Sequence, residues 1–289
     1  MSPTLLPHAL LGLLALAGPT PPSPANAPGE PLPEVGLSLV SVAGPIAAGA
    51  TFEVAALFEI EEEWHIYWRD PGETGMATTA DLSVPAGFEV EGPFFPAPEV
   101  VPLAGGLTSY AFHEEVALFY RVTAPADFVD EGPLEFGVEA SWLVCKEACF
   151  LGDGKAQLSL SPSVGGQASK AEAGALARSR ARLPRPLSML KGASWRWRET
   201  RVEEDTGKHL LELDLRIPVQ DVTLLPDATA GLTLRSSTRE TADGPLLLLF
   251  ESRTDPAGKV ARGVLVLASE DGPLYYSLEV PVGASPAGH

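Results

Sequence analysis

Short runs in which apolar and polar residues alternate recur along this 289-residue chain, with Gly and Pro between them. Alternation with a period of two marks a half-buried β-strand, because successive side chains leave opposite faces of a sheet. The longest run covers residues 134–144, where Leu134, Phe136, Val138, Ala140, Trp142 and Val144 fall on one face. Residues 37–42, 51–60, 80–84, 116–123 and 156–160 carry the same pattern. The aromatic-rich stretch 64–69 joins them and ends at a turn, Asp70-Pro71-Gly72, and Gly152-Asp153-Gly154 reads as a second turn ahead of 156–160. Strands this short, punctuated by Gly and Pro and without an amphipathic helix between them, predict an all-β fold, an antiparallel sandwich.

Residues 169–183 break the rhythm. Ser169 followed by Glu172 forms a capping box, and the Ala-rich run ends at Pro184. Arg178, Arg180 and Arg182 at the end of this helix suit the macrodipole. Beyond it, residues 194–201, 210–217, 231–235, 246–251, 262–268 and 274–280 again read as strands, with a turn at Asp271-Gly272. The expected organisation is a signal peptide at 1–27, a disordered Pro-rich leader at 28–36 and a first β domain at 37–162. A linker with a short helix follows at 163–186, and a second small β domain at 187–289. The second domain carries no cysteine, and its interior His209 lies at a strand start.

The signal reading rests on the apolar segment 9–18, too short to span a bilayer, and on small-x-small cleavage patterns at Ala15-Leu16-Ala17 and Ala25-Asn26-Ala27. Export to an oxidising compartment favours a disulfide. With no other apolar stretch of about 18 residues or more, the mature chain is expected to be soluble. The formal net charge of −18 argues against a nucleic-acid partner. Residues 37–162 hold 20 Asp and Glu against four Lys and Arg, whereas residues 163–289 are balanced.

Cys145 and Cys149 are the only cysteines, and they lie between two expected strands. A turn can bring two sulfurs this close in sequence within bonding distance. A bridge closing so small a loop stabilises a fold little, which favours a redox-active pair over a structural one. Lys146 is a cation near the thiols, opposed by Glu147. No dinucleotide or phosphate-loop fingerprint appears, so no cofactor is expected, and two cysteines with scattered histidines do not suit a four-ligand zinc site.

Trp142-Leu143-Val144-Cys145-Lys146-Glu147-Ala148-Cys149, together with His65-Ile66-Tyr67-Trp68-Arg69-Asp70-Pro71-Gly72 and Gly75, resembles the periplasmic N-terminal region of DsbD-type protein-disulfide reductases, in particular the ScsB-like branch. Residues 87–98 and the helix ending Arg182-Leu183-Pro184-Arg185-Pro186 are similar as well, so the resemblance covers most of the mature chain. It implies an immunoglobulin-like first domain followed by a second β domain. It also implies that Cys145 and Cys149 shuttle between disulfide and dithiol as the catalytic pair, with Cys149 forming mixed disulfides.

In that family electrons pass from a membrane domain, fed by a thioredoxin-like domain, to periplasmic thiol-disulfide partners. A loop capping the cysteines limits adventitious oxidation. By position that cap is expected at residues 107–114, with Tyr110 and Phe112 as shields and His113 as a proton acceptor if the loop reaches the sulfurs. The sequence holds no membrane span and no thioredoxin-like Cys-x-x-Cys, so the expected donor is a membrane or thioredoxin-like protein acting in trans. Two other functions fit the residues: a non-catalytic β-sandwich adaptor with a structural disulfide, and a Cu(I)-handling protein using both thiolates with Met76 or a histidine.

Overall fold

The structure is a computed structural model that describes residues 34–203, 206–216, 221–227, 231–239, 241, 244–253 and 258–283. The expected signal segment 1–27 lies outside the described residues, as does most of the expected leader. Residues 33–289 form one compact unit.

The chain runs through β1 (Val35–Val40), β2 (Thr51–Ile60), β3 (His65–Gly72), β4 (Thr79–Ser83), β5 (Glu89–Phe94), β6 (Glu99–Pro102), β7 (Thr108–His113), β8 (Glu115–Thr123), β9 (Leu134–Cys145) and β10 (Cys149–Leu160). These build an immunoglobulin-like sandwich. One sheet has the order β1-β2-β8-β5, and the facing sheet has the order β10-β9-β3-β7-β6 with β4 paired to β9. The expected leader ends earlier than its sequence suggests, since Val35 and Gly36 already pair with Ile60 and Glu59.

The inner faces meet in a core of Val54, Ala56 and Phe58 from β2, Leu118 and Tyr120 from β8, and Ile66, Trp68, Phe136, Val138 and Trp142 from the facing sheet. Alternation is clear in β9 because only one of its faces meets the core. It is blurred in β2 and β8, where both faces are buried. Their outer residues Ala55, Leu57, Ala117 and Phe119 pack beneath α1 (Lys170–Ala181) through Ala175 and Leu176. Small side chains at Ala55 and Ala117 let the helix approach the sheet closely.

The helix was expected from its capping box, and both reciprocal bonds are present. Glu172 N–H donates to Ser169 Oγ at 3.2 Å, and Ser169 N–H donates to the Glu172 carboxylate at 2.7 Å. It does more than connect. Ser179 Oγ accepts the backbone N–H of Ala117 at 2.9 Å, satisfying a buried donor that β5 does not reach. Its basic end also docks on the acidic sandwich, with Arg178 paired to Glu115, Arg180 to Glu53, and Arg182 to Glu99 at 3.2 Å.

After the helix come β11 (Arg185–Pro186), β12 (Ser194–Glu203), β13 (Thr206–Asp214), β14 (Asp221–Pro226), β15 (Thr233–Arg239), β16 (Leu246–Ser252), β17 (Val260–Ser269) and β18 (Gly272–Pro281). They form two further four-stranded sheets, β11-β18-β17-β14 and β12-β13-β16-β15. Leu211, Leu213, Leu248, Phe250, Leu265, Leu267 and Leu278 fill the space between them. His209 is a core residue here, fully buried and bonded to Ser252 Oγ at 3.0 Å. Burial, and to a lesser degree Lys259, holds its pKa below the ordinary histidine value.

The two sandwiches share apolar packing. Leu225 of β14 and Val264 of β17 belong to the core of the first sandwich, with Val266 and Tyr275 against it. Arg69, stacked over Trp68 at 4.6 Å, reaches Asp227 at 3.3 Å across the same seam.

Candidate redox hairpin

β9 and β10 pair without interruption from Leu134↔Leu160 to Cys145↔Cys149. The turn between them is Lys146-Glu147-Ala148, closed by the Lys146 N–H donating to the Ala148 carbonyl at 3.2 Å. Cys145 and Cys149 are therefore the last facing pair of the ladder, and they are joined as a disulfide with a Cα–Cα distance of 4.2 Å.

This register corrects the expected turn at Gly152-Asp153-Gly154, which is ordinary strand. The glycines are there for a long-range reason. Gly152 faces Trp142 directly, and a Cβ on it would lie 2.3 Å from the indole Nε1; one on Gly154 would lie 3.0 Å from Cη2. The bare backbone of β10 makes room for the indole, which is 4% exposed and meets Phe58 edge-on at 5.6 Å. Trp142 thus points into the core, and Cys145, three residues on, sits on the opposite face.

The expected turn at Asp70-Pro71-Gly72 also belongs to a strand. β3 runs through it with an irregularity between Tyr67 and Gly72, and the Asp70 carboxylate accepts the Gly72 N–H at 3.0 Å. Gly72 adopts φ 83°, and a Cβ there would lie 2.5 Å from the Thr108 carbonyl oxygen. Only glycine fits.

Burial divides the two sulfur-bearing residues. Cys145 is 2% exposed, whereas Cys149 is solvent-exposed. Lys146 does not turn its charge on the sulfurs alone. Its ammonium pairs with Glu63 at 2.5 Å, and that bond raises the lysine pKa and lowers that of Glu63.

Residues 107–114, expected as a loop over the cysteines, are mostly strand. β7 lies between β3 and β6 in the sheet. Phe112 is 1% exposed in the core, and Tyr110 packs on the same side, edge-on to Trp68 at 6.1 Å. Burial first, then Asp70 and Glu73, push the Tyr110 hydroxyl up to about 12. Both rings therefore occupy the face away from the disulfide. β7 buries Phe112 and, in part, Tyr110 on its core side, while Ser109 and Ala111 are buried on its other face; successive side chains leave opposite faces of a strand.

His113 does share the face of the cysteines, one strand removed. β3 comes between, and His65 stands opposite Cys145 on one side and opposite His113 on the other. The row Cys149, Cys145, His65, His113 thus crosses four adjacent strands on one face. In the sequence His65 stands out only as the first residue of the motif 65–72, and its place in the row depends on the β3–β9 register, a non-local pairing. Burial, and secondarily His113, holds the His65 pKa below the ordinary value. The row continues to Glu99, whose carboxylate meets His113 Nδ1 at 2.9 Å. That bond is the main reason the Glu99 carboxyl is held below its ordinary range, aided by Arg182.

Residues 39–161 match the family described as thiol:disulfide interchange protein DsbD, N-terminal. Among solved structures, the N-terminal periplasmic domain of ScsB from Proteus mirabilis superposes with a TM-score of 0.52 at 16% sequence identity, over 86% of this chain and 92% of that one. No curated protein sequence matches the chain. Among the described residues, no helix is long and apolar enough to cross a membrane. Together with the bridged hairpin, the family match supports thiol–disulfide exchange as the chemistry in general terms. Residues 39–161 form a DsbD-type N-terminal domain.

Proposed function

We propose that the protein is a periplasmic thiol–disulfide oxidoreductase in which Cys145 and Cys149 relay electrons from a membrane or thioredoxin-like donor to periplasmic disulfide partners. The redox domain spans residues 37–162, and the second β domain at 187–289 supports it through the helix-bearing connection at 163–186.

One observation carries the reading: the bridge is asymmetric, with Cys149 exposed and Cys145 buried beside it on a hairpin end. Exchange requires in-line approach of an outside sulfur to one bridge sulfur and departure of the other. Exposure supports Cys149 as the sulfur that joins a partner, and burial supports Cys145 as the one that resolves the mixed disulfide. A bridge serving only to pin a turn gains nothing from such a division.

The test has two arms. The purified protein is equilibrated in glutathione or dithiothreitol buffers and its free thiols are counted. A potential between roughly −120 and −270 mV is the expected result, the range of exchange proteins. In the second arm, Cys145→Ser leaves Cys149 free to accumulate mixed disulfides with periplasmic proteins, whereas Cys149→Ser does not. A bridge that resists reduction until the fold is lost would overturn the proposal in favour of a structural adaptor.

A further inference from the structure

His65 Nε2 is a buried ring nitrogen without a hydrogen-bond partner, and the histidine that carries it faces the buried cysteine. Residues directly opposite each other on antiparallel strands place their Cβ atoms about 4.5–5.5 Å apart on the same face. His65 and Cys145 are such neighbours. On its other flank His65 meets the His113 ring at 5.4 Å, and along its own strand the Tyr67 ring at 5.2 Å. The charges on the adjoining turns, Lys146 and Glu63, are paired with each other.

An unpartnered buried nitrogen is unfavourable, because it has left water without gaining a bond. In the oxidised protein the neighbouring sulfur carries no proton, so an accepting Nε2 has nothing to accept from Cys145. Reduction of the bridge creates a donor there, the Cys145 S–H. The environment that leaves His65 unsatisfied in the disulfide state satisfies it in the dithiol state.

We propose that His65 is the proton acceptor for Cys145 in the resolving step of exchange, an inference that rests on the reading of the pair as a redox centre. In the mixed disulfide, Cys149 Sγ is bonded to the partner's sulfur and Cys145 is a thiol. The Cys145 proton passes to His65 Nε2, and the sulfur lone pair forms the Cys145–Cys149 bond. The bond from Cys149 to the partner breaks, and its electron pair leaves on the partner's sulfur, which takes up a proton from the imidazolium or from water. The cysteine pair is oxidised by two electrons, and the partner's disulfide is the oxidant. A thiol withdrawn from water, as Cys145 is at 2% exposure, resists ionisation, so the step needs a base at hand. Burial first, and then His113, hold the His65 pKa below the ordinary histidine value, which favours the neutral ring with its lone pair available.

The experiment uses the full chain, reduced, and a slight excess of 5,5′-dithiobis(2-nitrobenzoate) in stopped flow. Attack by Cys149 releases a first thionitrobenzoate anion, and resolution by Cys145 releases a second. In the wild type the second phase is expected to remain fast at pH 7 and to lose rate only as His65 protonates. In His65→Phe the second phase is expected to slow at least tenfold at pH 7 and to recover as the pH rises toward the thiol range, with the first phase unchanged. His65→Gln, which keeps hydrogen-bonding capacity without basicity, serves if the Phe variant fails to fold, and the same slowing is expected. An unchanged second phase with an unchanged pH profile in a folded variant overturns the role of His65 alone. A wild-type protein that shows no second phase, or no reducible bridge at all, overturns the exchange reading and this inference with it.

Discussion

Replacing Gly152 by Ala tests whether the redox hairpin is built around Trp142. In an unstrained strand the change would add about 0.4–1 kcal/mol of stability by restricting the unfolded chain. Here the new methyl would lie 2.3 Å from the indole Nε1 and 2.7 Å from Cε2, inside any tolerable contact. The ring has little room to retreat, since it is 4% exposed, meets Phe58 at 5.6 Å, and has Gly154 beneath its far end. Overpacking of this kind costs about 1–3 kcal/mol, so the clash exceeds the entropic gain and the net loss is about 1–2 kcal/mol. For a unit of this size that corresponds to a fall in Tm of about 3–6 °C, read by circular dichroism or calorimetry. In a Trp142→Phe background, where the smaller ring leaves space, the same Gly152→Ala change is expected to be neutral or slightly stabilising. A neutral effect with Trp142 present would refute the packing argument, because the three atoms nearest to the new methyl all belong to that indole.

Three other outcomes follow from the geometry. Reducing the Cys145–Cys149 bridge, whose partners are four residues apart in sequence, should lower stability to urea by no more than about 2 kcal/mol; unfolding on reduction would contradict this. Ser179→Ala removes the acceptor for the buried Ala117 N–H and should cost about 1–3 kcal/mol, so a loss below about 0.5 kcal/mol in urea titrations would show that water replaces the hydroxyl. His65 and His209 both have pKa values below the ordinary histidine value of about 6.5, so the unfolded chain binds their protons more readily. Stability should therefore fall as the pH drops through 6.5, and the slope should be shallower in His65→Phe than in the wild type; equal slopes would exclude His65 as a contributor.

What the sequence disclosed was local and what it hid was long-range. The run 134–144 announces β9 because its alternate residues meet one core and its others do not. Ser169 and Glu172 announce the helix because a capping box is a contact between near neighbours. The glycines at 152 and 154 look like a turn to any local reading, since the residue that requires them, Trp142, lies across the hairpin. β7 is rich in aromatics and alternates, yet a resemblance that places a loop there by position hides its partners β3 and β6. His65 becomes visible as a site residue only when the register sets it opposite Cys145. The helix illustrates the same divide: its start was legible, but its seat on Ala55 and Ala117 was not.

The shared packing at Leu225 and Val264 bears on how the protein must work. A redox head on a loose tether can swing to search for its donor and then for its acceptor. This one is seated, its core closed in part by side chains of the second sandwich, and fastened again where Arg69 meets Asp227. The exposed sulfur of Cys149 is therefore presented at a fixed bearing relative to the second sandwich. In the proposed relay, partners would come to it, and donor and acceptor would take turns at a single landing place.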